Sequence, residues 1–512
     1  MSEKAAKNGN KKGIFVRFLD GVEKLGNKMC DPVTLFLIII AIILVSSAIF
    51  GLMGVSAINP ATNQEVKVVN LLNAEGLVKM LTSFTGNLAN FPIYTLVIVI
   101  MLGVGLAENT GMIEALLKRS VLKAPEKIVV PLLFFIGINS NVAGDAGFIL
   151  MPLLGAMIFG ALGKHPIAGM CAGYAAVAGG FSANIAIGTT DAIIAGFTEP
   201  AARMILPDYV ANPAMNWYFI ATSSILLIPV GVWINKRFVE KRLGEYSGPE
   251  IIIEEITDEQ KKGLRWAGIA FIAVIILILV GTVPGNGILR EPGTGSLSSM
   301  KAPFMNSIVP LITLIFLIPA LAYGFGAGIF KNDKDVASYL GKAMSGMGSF
   351  ILFCVVASQM IAYFSWSNLG PVIAIKGANF LKSIGVTGFP LIVLFILLST
   401  CINFLISSNS AKWAILAPVF IPMFALLGYD PAFTQMAYRI GDSITNPITP
   451  MMAYFGILVT TAKKYDKDAG MGSLMSCLLP YSIWFFIFWT LLLGVWYIFG
   501  IAPGPGYSIF IK

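Results

Sequence analysis

Apart from turn and end positions, five charged side chains lie within two long apolar stretches: Asp145 and Asp191 in residues 128–198, and Lys412, Arg439 and Asp442 in residues 390–461. Charged groups at membrane depth are costly and rare, and they mark substrate paths, ion paths and proton relays. Each neighbours small polar residues. The first stretch holds Asn139-Ser140-Asn141-Val142-Ala143-Gly144-Asp145, then Gly179-Gly180-Phe181-Ser182-Ala183-Asn184, then Gly188-Thr189-Thr190-Asp191. The second holds Asn403, Ser407-Ser408-Asn409-Ser410-Ala411-Lys412-Trp413, and Arg439-Ile440-Gly441-Asp442-Ser443-Ile444-Thr445-Asn446-Pro447, ending at Pro450. Non-helical backbone at membrane depth is tolerated only against protein or a water-filled cavity, so these are the expected break points. A carboxylate with amide, hydroxyl and backbone oxygens makes a hard-oxygen cation site, and a desolvated carboxylate can instead carry a proton. Arg439 stays charged and offers a planar fork suited to a carboxylate. Arg439 and Asp442 are three apart and share a helix face, so the alternative is an internal pair that only orients its helix. Trp413 is placed to stack on an aromatic ring, or else to serve as a packing or interface residue.

The elements that must position these residues are membrane helices. Hydrophobic residues make up 56% of the 512, charged residues 12%, and mean hydropathy is +0.81. Soluble domains carry about 25% charged residues, so only a bilayer suits this surface. A crossing helix needs about 20 apolar residues for about 30 Å of hydrocarbon. Clear spans run near 32–50, 91–107, 217–235, 266–283, 304–325, 350–364 and 478–499. Basic clusters at Lys118/Arg119/Lys123/Lys127, Lys236–Arg265, Lys331/Lys334/Lys342 and Lys463/Lys464/Lys467 read as inside loops. Residues 54–90, 199–216 and 284–302 read as outside, the first as a small ordered loop.

On this scheme the stretches 128–198 and 390–461 each cross an odd number of times, in opposite directions. Each is too long for one helix and predicts one crossing with a re-entrant hairpin and a broken helix. The stretches also resemble each other. Pro166 and Pro431 are 265 residues apart, Pro152 and Pro418 266, and Tyr174 and Tyr438 264. A near-constant offset points to an internal repeat. The fold class expected is an all-α polytopic membrane protein. It has two inverted-topology repeats, about nine transmembrane helices and two re-entrant hairpins, a recurrent secondary-transporter plan. The divisions are a cytoplasmic tail at 1–30, a first repeat at 31–235 with its hairpin near 166–198, a loop and linking helix at 236–303, and a second repeat at 304–512 with its hairpin near 403–450. The N-terminus is expected inside, with an amphipathic piece at 14–25 and no cleaved signal.

Other functions are disfavoured. The net charge of +8 lies in short inter-helix clusters rather than on one face, so no nucleic-acid partner is expected. The five cysteines include no CxxC pair, and the single histidine, His165, sits in a Lys-His-Pro turn, so neither a disulfide set nor a zinc or haem site is expected. No P-loop is seen. Gly103-Val104-Gly105-Leu106-Ala107-Glu108 lacks the preceding strand of a dinucleotide loop. Nor is there a nucleophile set at depth, so an intramembrane enzyme is disfavoured.

The sequence resembles the p-aminobenzoyl-glutamate transporter (AbgT) family nearly end to end. The resemblance is carried by Val22-Glu23-Lys24-Leu25-Gly26-Asn27-Lys28, Asn70-Leu71-Leu72, Glu75-Gly76-Leu77, Asn216-Trp217-Tyr218-Phe219 and Asn286-Gly287-Ile288-Leu289-Arg290. The longest runs are Ser410-Ala411-Lys412-Trp413-Ala414-Ile415-Leu416-Ala417-Pro418 and Tyr438-Arg439-Ile440-Gly441-Asp442-Ser443. It implies a homodimer in the bacterial cytoplasmic (inner) membrane, with nine helices and two hairpins per protomer. The implied activity is transport of the folate catabolite p-aminobenzoyl-glutamate, or export of sulfonamide antimetabolites. Coupling would be to H+ or Na+, with no other cofactor. By the same resemblance Asp191, Ser410, Trp413, Arg439, Asp442 and Pro450 fall on substrate-passage positions, and Asn403 with Asp442 on a sodium site. Lys412 stands where relatives can carry an uncharged residue. The competing reading is a sodium-coupled dicarboxylate carrier of related architecture. A channel is the other transport mode, and saturable, gradient-coupled flux separates it from a carrier.

Overall fold

Two turns organise the molecule, and both follow from local chemistry. In a computed structural model, Gly163 and Gly428 adopt φ of +67° and +93°, conformations that cost a glycine little. Each turn leads into a helix with proline at its first position, Pro166 or Pro431, where a missing N–H costs nothing. The preceding residue caps that helix: His165 Nδ1 accepts from the Ile167 N–H at 3.3 Å, and Asp430 Oδ1 from the Ala432 N–H at 2.8 Å. Each turn is clasped by an antiparallel bridge to a distant segment, Lys164 with Glu245 and Tyr429 with Phe510. The structure describes residues 32–59, 63–122, 126–143, 146–246, 248, 256–299, 301–450, 452 and 454–511. Asp145, the tail at 1–30 and its amphipathic piece lie outside these residues.

The two turns lie at opposite faces. Lys164 pairs with Glu240 at 2.9 Å, on the basic segment that follows the helix Trp217–Ile234. At the other end of that helix, Tyr209 donates to Asp430 at 2.8 Å, and the Asp430 N–H donates to the Ile509 carbonyl. The helix pairs Glu126–Ser140/Ala146–Ala161 and Gly388–Asn403/Asn409–Ala425 therefore enter and return at the same face, one pair from each side. These are the re-entrant hairpins. The helix pairs Pro166–Gly179/Thr189–Arg203 and Pro431–Ser443/Phe455–Ala462 run on from face to face as broken crossings. The hairpins thus lie at 126–161 and 388–425, largely inside the two long apolar stretches; of the ranges expected for them, 166–198 holds the first broken crossing, and 403–450 holds the return arm of the second hairpin and the first half of the second broken crossing. Hydropathy cannot tell an arm that returns from one that continues, because each is an apolar run of similar length.

Seven helical spans are long and apolar enough to cross a membrane, and the two broken crossings bring the number of crossings to nine among the described residues. The first span shows why a bilayer is required: Ile38, Ile42, Val45 and Ile49 are all open to the surroundings. The halves interlock. The span Pro32–Leu52 packs on Gly348–Trp366 of the second half, and Ile308–Gly326 packs on Pro92–Asn109 of the first. The segment at 54–90, expected outside as a small loop, carries regular structure: strands Ser56–Ile58 and Glu65–Lys67 pair, and Ala74–Ala89 is helical. Asp333–Ser345 and Leu369–Ser383 are further helices beyond the expected crossings.

The first hairpin meets its broken crossing backbone to backbone. A Cβ on Gly169 would lie 2.0 Å from the Gly155 carbonyl oxygen, so only glycine permits this approach. Small residues of this kind let membrane helices pack closely where no hydrophobic effect drives them together.

Candidate functional site

The two breaks and the second hairpin tip surround a buried polar cluster. Asp191 stands in the first turn of Thr189–Arg203, where its Oδ2 accepts from the Gly188 N–H at 2.7 Å. A carboxylate at a helix N-terminus is favoured by the unpaired N–H groups and the helix dipole. Its Oδ1 lies 2.6 Å from Arg439 Nη2, and both side chains are buried. Arg439 Nε donates to Asn216 Oδ1 at 3.1 Å, while Nη1 is buried and unpartnered. Gln435, one turn before Arg439, donates to the same Asn216 oxygen at 2.8 Å and accepts from Thr198 Oγ1. Trp413 Nε1 donates to Thr198 Oγ1 at 3.0 Å. One hydrogen-bonded chain thus runs from Asp191 through Arg439, Asn216, Gln435 and Thr198 to Trp413, and it spans both repeats.

A second cluster sits at the hairpin tip. Ser408 caps the return arm by accepting from the Ala411 N–H at 3.4 Å, and Ser410 Oγ lies 3.3 Å from Ser408 Oγ. Lys412 Nζ, buried, lies 2.7 Å from Asp442 Oδ1 and also donates to Asn403 Oδ1. Asn403 Nδ2 donates to Thr445 Oγ1 at 2.9 Å and Asn446 Oδ1 at 2.8 Å. Tyr438 donates to the Asn409 carbonyl at 2.7 Å and to Asp442 Oδ1 at 3.3 Å. Its ring stacks on Trp413 with centroids 4.3 Å apart. Pro450 closes the second break, half-buried.

Several expectations change. Arg439 and Asp442 share a helix but do not pair: Arg439 reaches Asp191 across the repeat and Asp442 takes Lys412. Trp413 is fully buried, with one ring face covered by Tyr438, so it presents no open stacking face in this conformation. Asn403 and Asp442 do come together, but their oxygens converge on the Lys412 ammonium, so this residue set does not fit an added sodium ion. Asn216, Thr198, Gln435 and Tyr438 join the cluster without having been singled out for a role. Helical spacing carried a signal for some of them: Gln435, Arg439 and Asp442 recur at i, i+4 and i+7 in an apolar stretch, and Asp191 and Thr198 at i and i+7. A cavity of about 720 Å³ lies elsewhere. It is an apolar groove between Asp258–Thr282 and Ile308–Gly326 that reaches Ile187, and its lining holds no charged residue.

Broken crossings, paired re-entrant hairpins and a buried charged cluster spanning two inverted halves define a polytopic membrane transporter rather than an enzyme. Residues 17–511 match the "AbgT putative transporter family". The p-aminobenzoyl-glutamate transport protein of Escherichia coli (strain K12) is 37% identical over 486 residues, 95% of each chain. Two solved structures superpose with a TM-score of 0.89. The YdaH transporter of Alcanivorax borkumensis is 35% identical, covering 93% of this chain and all of that one. MtrF of Neisseria gonorrhoeae, described as illuminating a class of antimetabolite efflux pumps, is 43% identical, covering 96% and all respectively. The chain belongs to the AbgT transporter family.

Proposed function

We propose that this transporter carries p-aminobenzoyl-glutamate, or a closely similar arylamide dianion, across the bacterial cytoplasmic membrane. In this reading it is a homodimer driven by the proton motive force, with its N-terminus and basic face cytoplasmic. One observation carries the reading. Arg439 is held by Asp191 and Asn216 and keeps one buried N–H nitrogen without a partner. A buried guanidinium donor left unpaired is costly, and a substrate carboxylate satisfies it with a charge-assisted bond. Asp191, Ser410, Trp413, Arg439, Asp442 and Pro450 then line the path. The Trp413–Tyr438 stack stands at its aromatic end and must part for a substrate ring to enter. Similarity to MtrF favours a second reading in which sulfonamide antimetabolites, which share the aryl amine, are exported. Saturable flux of labelled p-aminobenzoyl-glutamate into proteoliposomes under an imposed gradient tests the first reading. Flux of the sulfonamide alone would select the second. Competition by succinate with no need for an aryl ring would replace both with a dicarboxylate carrier.

A further inference from the structure

The position framed by Asn403 and Asp442 is filled by the chain itself. Lys412 lies in the first turn of the return arm, four residues after its cap Ser408. Its ammonium sits 2.7 Å from Asp442 Oδ1 and donates to Asn403 Oδ1. The Tyr438 ring centroid is 5.8 Å away. The surrounding bonds aim both oxygens at it. Asn403 commits its Nδ2 to Thr445 and Asn446, which leaves Oδ1 facing inward. Asp442 accepts from Asn409 on Oδ2, which leaves Oδ1, an acceptor for Tyr438 as well, facing the ammonium. Asn446, in turn, donates to the Ala178 carbonyl at 3.2 Å, which ties this arrangement to the first repeat. A carboxylate and a carboxamide oxygen converging between a hairpin tip and a helix break are the donors a hard cation uses. Here they hold a nitrogen that carries the same single charge. A second cation at this spot would compete for the same oxygens against a like charge a few ångströms away in a dry site.

We infer that Lys412 is a tethered cation: its ammonium substitutes for an alkali ion at the Asn403–Asp442 position, which therefore binds no sodium in this protein. The inference deepens the transport reading and rests on it for the role of the site, but not on the identity of the substrate. One charge that cannot leave then holds the hairpin tip to the second break, where a soluble ion would come and go. The test is thermal unfolding of the purified protein in detergent, with sodium exchanged for choline at constant ionic strength. The wild-type midpoint is expected to be unchanged by sodium. Lys412→Met, which frees the two oxygens, is expected to gain a midpoint that rises with the logarithm of sodium concentration, and Lys412→Met/Asp442→Asn is expected to lose that gain. Lys412→Gln carries the same test if Lys412→Met does not fold. Sodium stabilisation of the wild type that Asp442→Asn abolishes would overturn the inference. So would a folded Lys412 variant indifferent to sodium, because the lysine is then a structural counter-ion only. No substrate enters this measurement, so an error in the substrate assignment leaves it intact.

Discussion

Replacing Asp191 by Asn removes a charge and almost nothing else. The side chain keeps its volume, and its oxygen still accepts from the Gly188 N–H. Arg439 is left buried, with Asn216 as its remaining partner. At the observed 2.6 Å the ion pair is worth about 6 kcal/mol of Coulomb attraction at an effective dielectric of about 20. Desolvation of both groups offsets much of this, and removing one partner of a buried pair costs about 3–5 kcal/mol. Asp191→Asn and Arg439→Gln are therefore each expected to lower stability by about 3 kcal/mol, since each strands one buried charge. The double variant strands none and should be no worse than either single, giving a coupling energy of at least about 3 kcal/mol. Unfolding free energies in mixed micelles of increasing denaturing-detergent fraction measure the four corners of this cycle. Additivity within about 0.5 kcal/mol would refute the pairing across the repeats.

Other consequences follow from single contacts. Trp413→Phe keeps the stack on Tyr438 but loses the bonds to Thr198 and Ile194, and should cost about 1 kcal/mol in the same assay, whereas Trp413→Ala should cost about 3–5. Gly169→Ala forces a carbon against the Gly155 carbonyl and is expected to separate the first hairpin from its broken crossing, visible as loss of monodisperse protein on size exclusion. Asp430, in the turn at the face opposite the basic one, has its carboxyl pushed up from 3.8 to about 6 by burial. The folded state then binds the extra proton between about pH 4 and pH 6, so stability falls as pH rises through that window, by up to about 3 kcal/mol. Asp430→Asn keeps the cap and the Tyr209 bond, and should flatten this dependence in thermal unfolding across that range.

The sequence exposed the parts of this architecture that depend on short-range chemistry. Gly-X-X-Pro at 163–166 and 428–431 demands a left-handed turn followed by a helix start, and that recurrence revealed the repeat. Asp191, Lys412 and Arg439 stood out because a charge in an apolar stretch has no ordinary explanation. The hairpin register did not stand out: arms such as Ala146–Ala161 and half-crossings such as Pro166–Gly179 are both apolar and of similar length, and only tertiary packing says which returns. The partner of Arg439 was equally hidden, since Asp191 lies 248 residues away while Asp442 is one helical turn off. Thr198 is a neutral residue at the end of an apolar stretch, and Asn216 closes a segment expected outside, so neither gave warning. The contacts of Lys412 were hidden too, since Asn403 and Asp442 lie 9 and 30 residues from it and meet its ammonium only through tertiary packing.

The central claim is that Arg439 anchors an anionic aryl substrate on a gradient-driven path, and flux tests it most directly. Proteoliposomes holding wild-type protein or Arg439→Gln would be loaded under separately imposed proton and sodium gradients, and uptake of labelled p-aminobenzoyl-glutamate followed. The account predicts saturable flux driven by the proton gradient, indifferent to sodium, and lost in a folded Arg439→Gln. Undiminished flux and affinity in that variant would contradict it.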